Sequence, residues 1–158
     1  MHTLSKQAQA LLIQLTEELG STFSLKEFRE FIELQRNKPL IIEELDMCAD
    51  VSGAAISLDD CDLMYIARGL DSLSHLTSCL HEAIHVLRNE GLHVEDITYE
   101  QFQPCRAAYM QNAVYRSTIG EEASLDREHD AKMLERILVE RVLPAERQQN
   151  QYIRSFCD

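Results

Sequence analysis

Between Leu40 and Gly69 the hydrophobic period of the chain changes, and this change most constrains the fold. Before it, Leu4, Ala8, Leu11, Leu12, Leu15 and Leu19 recur every three or four positions, as along one helix face, and Gly20 supplies a stop. Ser24-Leu25-Lys26-Glu27 is a capping box that starts a second helix, with Phe28, Phe31 and Ile32 as its stripe. Arg36-Asn37-Lys38-Pro39 ends that helix. Then Leu40-Ile41-Ile42 reads as a short strand. Ala55-Ile56-Ser57-Leu58 and Leu63-Met64-Tyr65-Ile66-Ala67 read as the arms of a hairpin, joined by Asp59-Asp60-Cys61-Asp62. Helical spacing returns from Asp71 or Ser72 to about Arg88, again from Pro104, and from about Leu125 to Val142, ahead of Pro144. The order predicts an α+β fold in which helices pack on one face of a small antiparallel sheet. A length of 158 residues suits one domain over 1–158, with a helical N-terminal region over 1–38 and a polar tail from about 146.

Charge and cysteine usage narrow the function. The net charge is −12 and no run of five Lys or Arg occurs, so direct nucleic-acid binding is disfavoured. Five cysteines with no C-x-x-C pair read as reduced thiols, which predicts a cytoplasmic protein. The first 19 residues carry polar groups too often for a secretory leader, and no apolar run approaches a membrane span.

Leu80 to Leu87 reads L-H-E-A-I-H-V-L. Histidines four apart share a helix face, so His81 and His85 can meet one zinc ion at about 2.0–2.1 Å each. Glu82 is rotated about 100° from His81. It can take a proton from water at the metal without itself becoming a ligand, as in H-E-x-x-H hydrolases. The alternative is an ordinary amphipathic helix with Leu76, Leu80, Ala83, Ile84 and Leu87 buried. A catalytic zinc needs a third protein ligand. Arg88 and Gly91 stand where a metzincin would carry its glycine and third histidine, and His93 is out of register. A glutamate from a later helix remains. Glu128 is the leading candidate, with His129 and Asp130 as rivals and Glu121 and Glu122 behind them.

Three stretches together resemble the ImmA/IrrE family of zinc metallo-endopeptidases, a gluzincin group of bacteria and their mobile elements. They are RNKPLIIEEL, GAAISLDDCDLMYIARGLDSLSHLTSCLHEAIHVL and YRSTIGEEASLDREHDAKMLERIL, and the resemblance spans about Leu11 to Leu143. It implies a zincin-like metallopeptidase domain that binds Zn2+ through His81, His85 and Glu128. It also implies Glu82 as the catalytic base and Ala131 as the small residue three positions after the third ligand. The substrate it implies is a co-encoded regulatory protein, a helix-turn-helix repressor or an antitoxin. Two positions depart from the family pattern: Ile84 stands for a glycine, and Lys132 for an Asn or an acid. The Ile84 departure and the small size of the chain motivate an alternative, a zincin-fold module of weak or no activity that sequesters its partner.

Weaker signals complete the expectations. Asp126, Asp130 and Glu135 are candidates to hydrogen-bond the ligand histidines. Tyr65, Tyr109, Tyr115, His75 and His129 are candidates to stabilise an oxyanion. His75 and Cys79, also four apart, read as a partly exposed imidazole and a buried thiol rather than a second metal site. Substrate is expected to pair along an edge strand at Leu63–Ala67.

Overall fold

The computed structural model describes residues 3–48, 50–110 and 122–150. Two helices come first, α1 (Lys6–Leu19) and α2 (Leu25–Arg36), followed by strands β1 (Leu40–Leu45), β2 (Gly53–Ser57) and β3 (Asp62–Ala67). Helix α3 (Ser72–Leu87), the two-residue strand β4 (Leu92–His93), the short helix α4 (Tyr99–Phe102) and a 3-10 turn (Gln103–Cys105) come next. Residues 106–110 are helical, and a long helix α5 (Glu122–Asn150) closes the described chain. The class is α+β, as the period change predicts.

The helix starts follow the sequence signals. Ser5 Oγ accepts the Ala8 amide at 3.2 Å, Ser24 Oγ accepts the Glu27 amide at 3.1 Å, and Asp71 accepts the Ser74 amide at 2.8 Å. Each such cap is worth roughly 1 kcal/mol to its helix.

The sheet is mixed rather than antiparallel, with the order β1-β3-β2-β4. The expected hairpin is present as β2 against β3, Ile56 facing Leu63. β1, however, runs parallel to β3 with Leu40 facing Asp62, and β4 runs parallel to β2. The chain between β1 and β2 turns at one end of the sheet and skips a strand position. The hairpin then folds β3 into that gap. A period of two records which residues alternate but not which strands become neighbours.

β3 is therefore central, and all six of its residues are buried. Met64 and Ile66 join the main core with α1, α2, α3 and α5, while Leu63 and Tyr65 pack on the other face with Ile56, Leu58 and Phe102. Leu63–Ala67 is thus not an edge, and the expected substrate edge lies elsewhere. Asp62 opens β3 from a buried position and is held by Arg36, Nε to Oδ2 at 2.9 Å and Nη2 to Oδ1 at 3.1 Å. Removing one partner of such a pair costs about 3–5 kcal/mol, because it strands a buried charge.

β1 forms one outer edge, and side chains occupy outward peptide groups at its two ends. Glu33 accepts the Leu40 amide at 3.1 Å, Arg29 donates to the Leu40 carbonyl, and Arg68 donates to the Glu44 carbonyl at 3.3 Å.

Helix α5 begins before Leu125 and passes through Pro144, where a stop was expected. Proline removes one helical hydrogen bond. The turn beyond it is nevertheless anchored, since the Glu146 carboxylate accepts the first amide of α2, at Leu25, at 2.8 Å. The expected polar tail is thus helical as far as Asn150, and its remainder lies outside the described residues, as does most of the expected break at 117–122. Among the described residues no helix is long and apolar enough to cross a membrane.

Candidate metal centre

The site forms where α3 packs on α5. Leu76, Leu80, Ala83 and Ile84 bury one stripe of α3 in the main core. The amphipathic helix and the histidine pair are therefore two faces of one element. Ile84 is 1% exposed and fills this core.

His81 and His85 border the stripe, with their Nε2 atoms 3.2 Å apart. Glu128 approaches from the first turns of α5, one oxygen 3.1 Å from His81 Nε2 and the other 2.8 Å from His85 Nε2. Among the described residues these three offer ligand atoms that all lie within 4.8 Å of one another, a group that can hold a metal ion. Two ligands of a tetrahedral zinc at about 2.0–2.1 Å would be roughly 3.3 Å apart. The observed triangle fits that size with a small contraction. Two nitrogens and one carboxylate are also a donor set that catalytic zinc accepts. Glu128 is the most open of the three, its side chain 39% exposed, so the site faces solvent on that side.

The protonation states follow from the same geometry. Two bare imidazole nitrogens and a carboxylate at these distances need a cation or a proton between them. Burial disfavours charge on His85, but its hydrogen bonds to Glu128 and Glu90 outweigh burial and push its pKa up to about 10. Glu128 is held well below the usual carboxylate range by its hydrogen bonds to His81 and then His85, against its own desolvation. Glu82 moves the other way, raised by burial despite the nearby histidines.

Beyond the ligands, His81 Nδ1 lies 3.9 Å from Glu135, one of the three acids expected to support the histidines. Asp126 is exposed. Asp130 accepts the Ser5 amide at 3.0 Å, Ser5 Oγ at 2.6 Å and Arg88 Nη2 at 3.2 Å, which fastens α1 to the ligand-bearing helix. His85 Nδ1 lies 3.1 Å from Glu90, a residue the sequence reading did not single out. Asn89 signals it: an asparagine after a helix is a common left-handed cap, and here φ is 58°.

Gly53 was missed as well. A Cβ there would stand 2.7 Å from Glu82 Cγ and 3.1 Å from Glu82 Oε1, so the carboxylate occupies room that only glycine leaves. The signal available was a glycine at the start of a strand arm, which marks close approach of a neighbour.

The rival third ligands separate cleanly. Asp130 is committed to Ser5 and Arg88, and His129 does not belong to the three-residue cluster. Glu121 and the side chain of Glu122 lie outside the described residues. Of the oxyanion candidates, Tyr65 and Tyr109 pack on the far face of the sheet. His75 pairs with Glu44 at 3.3 Å, and Tyr115 lies outside the described residues.

Comparison of the chain with protein-family models, curated proteins and solved structures returns no match.

Proposed function

We propose that this protein is a zinc-dependent endopeptidase with a zincin-like domain, acting in the cytoplasm on a co-encoded regulatory protein such as a helix-turn-helix repressor or an antitoxin. The observation that carries the reading is the convergence of His81, His85 and Glu128 beside a half-buried Glu82. His81, His85 and Glu128 would hold the ion, which when bound polarises a peptide carbonyl and acidifies water. Glu82 has the chemistry of a general base. Desolvation gives its carboxylate a raised affinity for protons, so it can accept one from the attacking water and return it to the leaving amine.

A peptide would add to the sheet at β2, where Gly53 and Ala54 precede the Ile56–Ser57 pairing with β4 and Gly53 lies next to Glu82. A net charge of −12 suits a basic partner, and DNA-binding regulators are commonly basic. A second reading, sequestration without cleavage, draws on the Ile84 and Lys132 departures.

The test is Glu82→Gln against wild type, with the product of the neighbouring gene as substrate. Cleavage by wild type should fall at least about 10²-fold in the variant while its zinc content stays equal. Cleavage that survives the change removes the protease reading. Tight partner binding with no cleavage by wild type selects sequestration.

A further inference from the structure

The turn after α3 does more than end a helix. Asn89 takes the left-handed conformation, its amide bonds to the Val86 carbonyl at 3.0 Å, and the Glu90 amide bonds to the His85 carbonyl at 2.8 Å. This paired closure brings residue 90 back beneath residue 85. The Glu90 carboxylate then meets the His85 imidazole at Nδ1, at 3.1 Å, while His85 Nε2 faces Glu128. Backbone and side chain of one residue thus hold the same histidine.

The carboxylate is itself held. Its side chain is 9% exposed, Arg88 Nε lies 3.8 Å from it, and Arg127 Nε lies 3.7 Å away. Arg88 also reaches Asp130 through Nη2 at 3.2 Å, two residues after Glu128. One guanidinium therefore links the support of His85 to the helix that carries the third donor. Arg88 Nη1 is buried with no hydrogen-bond partner among the described residues.

We infer that Glu90 is a positioning residue of the metal centre. It fixes the His85 tautomer with the proton on Nδ1, so the Nε2 lone pair faces the ion, and Arg88 ties this support to the Glu128 helix. The inference rests on the proposed metal centre and deepens it. Carboxylates in this role typically contribute about 10–100-fold to metal affinity.

The experiment is zinc affinity of the full chain, by competition with a chromogenic chelator, for wild type, Glu90→Ala, Glu90→Gln and the exposed-acid control Glu95→Ala. Melting of the metal-free forms is followed in parallel. Glu90→Ala should weaken zinc binding about 10–100-fold. Glu90→Gln, which keeps an oxygen for the Nδ1 proton, should weaken it less, and Glu95→Ala should match wild type. If Glu90→Ala does not fold, Glu90→Gln decides by falling below wild type or not. Wild-type affinity in both Glu90 variants overturns this inference and leaves the metal centre standing. An equal loss in Glu95→Ala also overturns it, because general charge would then suffice. Failure of wild type to bind zinc overturns both.

Discussion

Helix α3 carries two pairs of potential ligands at the same spacing, and among the described residues only one of them gains a third potential donor. His75 and Cys79 lie near its start, His81 and His85 near its end. In the first pair His75 Nδ1 faces Cys79 Sγ at 3.7 Å, and Nε2 is engaged by Glu44 at 3.3 Å. No third donor joins them among the described residues, and burial pushes the Cys79 thiol up to about 12. In the second pair both Nε2 atoms point at Glu128, and a carboxylate stands behind each Nδ1. A spacing of four brings two side chains together on any helix. What sets the second pair apart as a candidate metal centre is that its outward nitrogens converge, its inward nitrogens face carboxylates, and a donor arrives from another element.

The contrast is most severely tested by deletion. His85→Ala or Glu128→Ala should abolish stoichiometric zinc in protein purified without chelator, while His75→Ala and Cys79→Ala keep it; elemental mass spectrometry reads the ratio. Zinc in His75→Ala falling as in His85→Ala would erase the difference between the two pairs.

Gly53→Ala sharpens the contrast in another way. The added methyl meets Glu82 and, at 3.1 Å, the Tyr65 carbonyl oxygen, and touches none of the three candidate ligands. Turnover should drop on the order of 10–100-fold, as expected for a displaced catalytic group, with zinc retained. Unchanged turnover would mean that Glu82 relaxes freely and that its room is not set by β2.

Protons give a third probe. With His85 raised to about 10, the metal-free protein carries a proton there at pH 8 that zinc must expel. Zinc uptake at pH 8 should therefore release about one proton, measured calorimetrically in buffers of different ionisation enthalpy. Stability of the metal-free form has a matching sign. A raised histidine stabilises below its ordinary 6.5, and that contribution is lost as pH rises towards 10. The lowered Glu128 stabilises above its ordinary 4.5 and loses that contribution as pH falls below it. Metal-free protein should thus melt highest between about 4.5 and 6.5, and a monotonic rise to pH 10 would contradict the assignment.

The smallest effect concerns the pair that forms no site. Cys79→Ala should cost about 1 kcal/mol of stability in denaturant unfolding, from lost packing alone.

What the sequence made legible follows the range of the interactions. His81, Glu82 and His85 are fixed relative to one another by helix geometry within five residues, so the spacing suffices. Chemistry asked for a third donor from a later helix and put Glu128 ahead of His129 and Asp130; only the family resemblance implied Glu128 alone. Glu90 and Gly53 were not reached. Glu90 matters because Asn89 turns the chain back, and Gly53 because strand pairing sets β2 beside α3. The placement of β3 failed for a similar reason: the residues of DLMYIA fit an edge or a centre, and only the crossover after β1 decides. Pro144 misled because its local cost is offset by the contact that Glu146, two residues on, makes with Leu25, 121 positions away in sequence.

The covering of β1 by Arg29, Glu33 and Arg68 bears on crowding. A bare six-residue edge invites strands of neighbouring molecules, and clusters grow from such contacts at high concentration. Here a visiting strand finds the Leu40 amide and carbonyl and the Glu44 carbonyl already occupied. Both ends of that edge are thus engaged by the molecule's own side chains, two of them reaching over from α2.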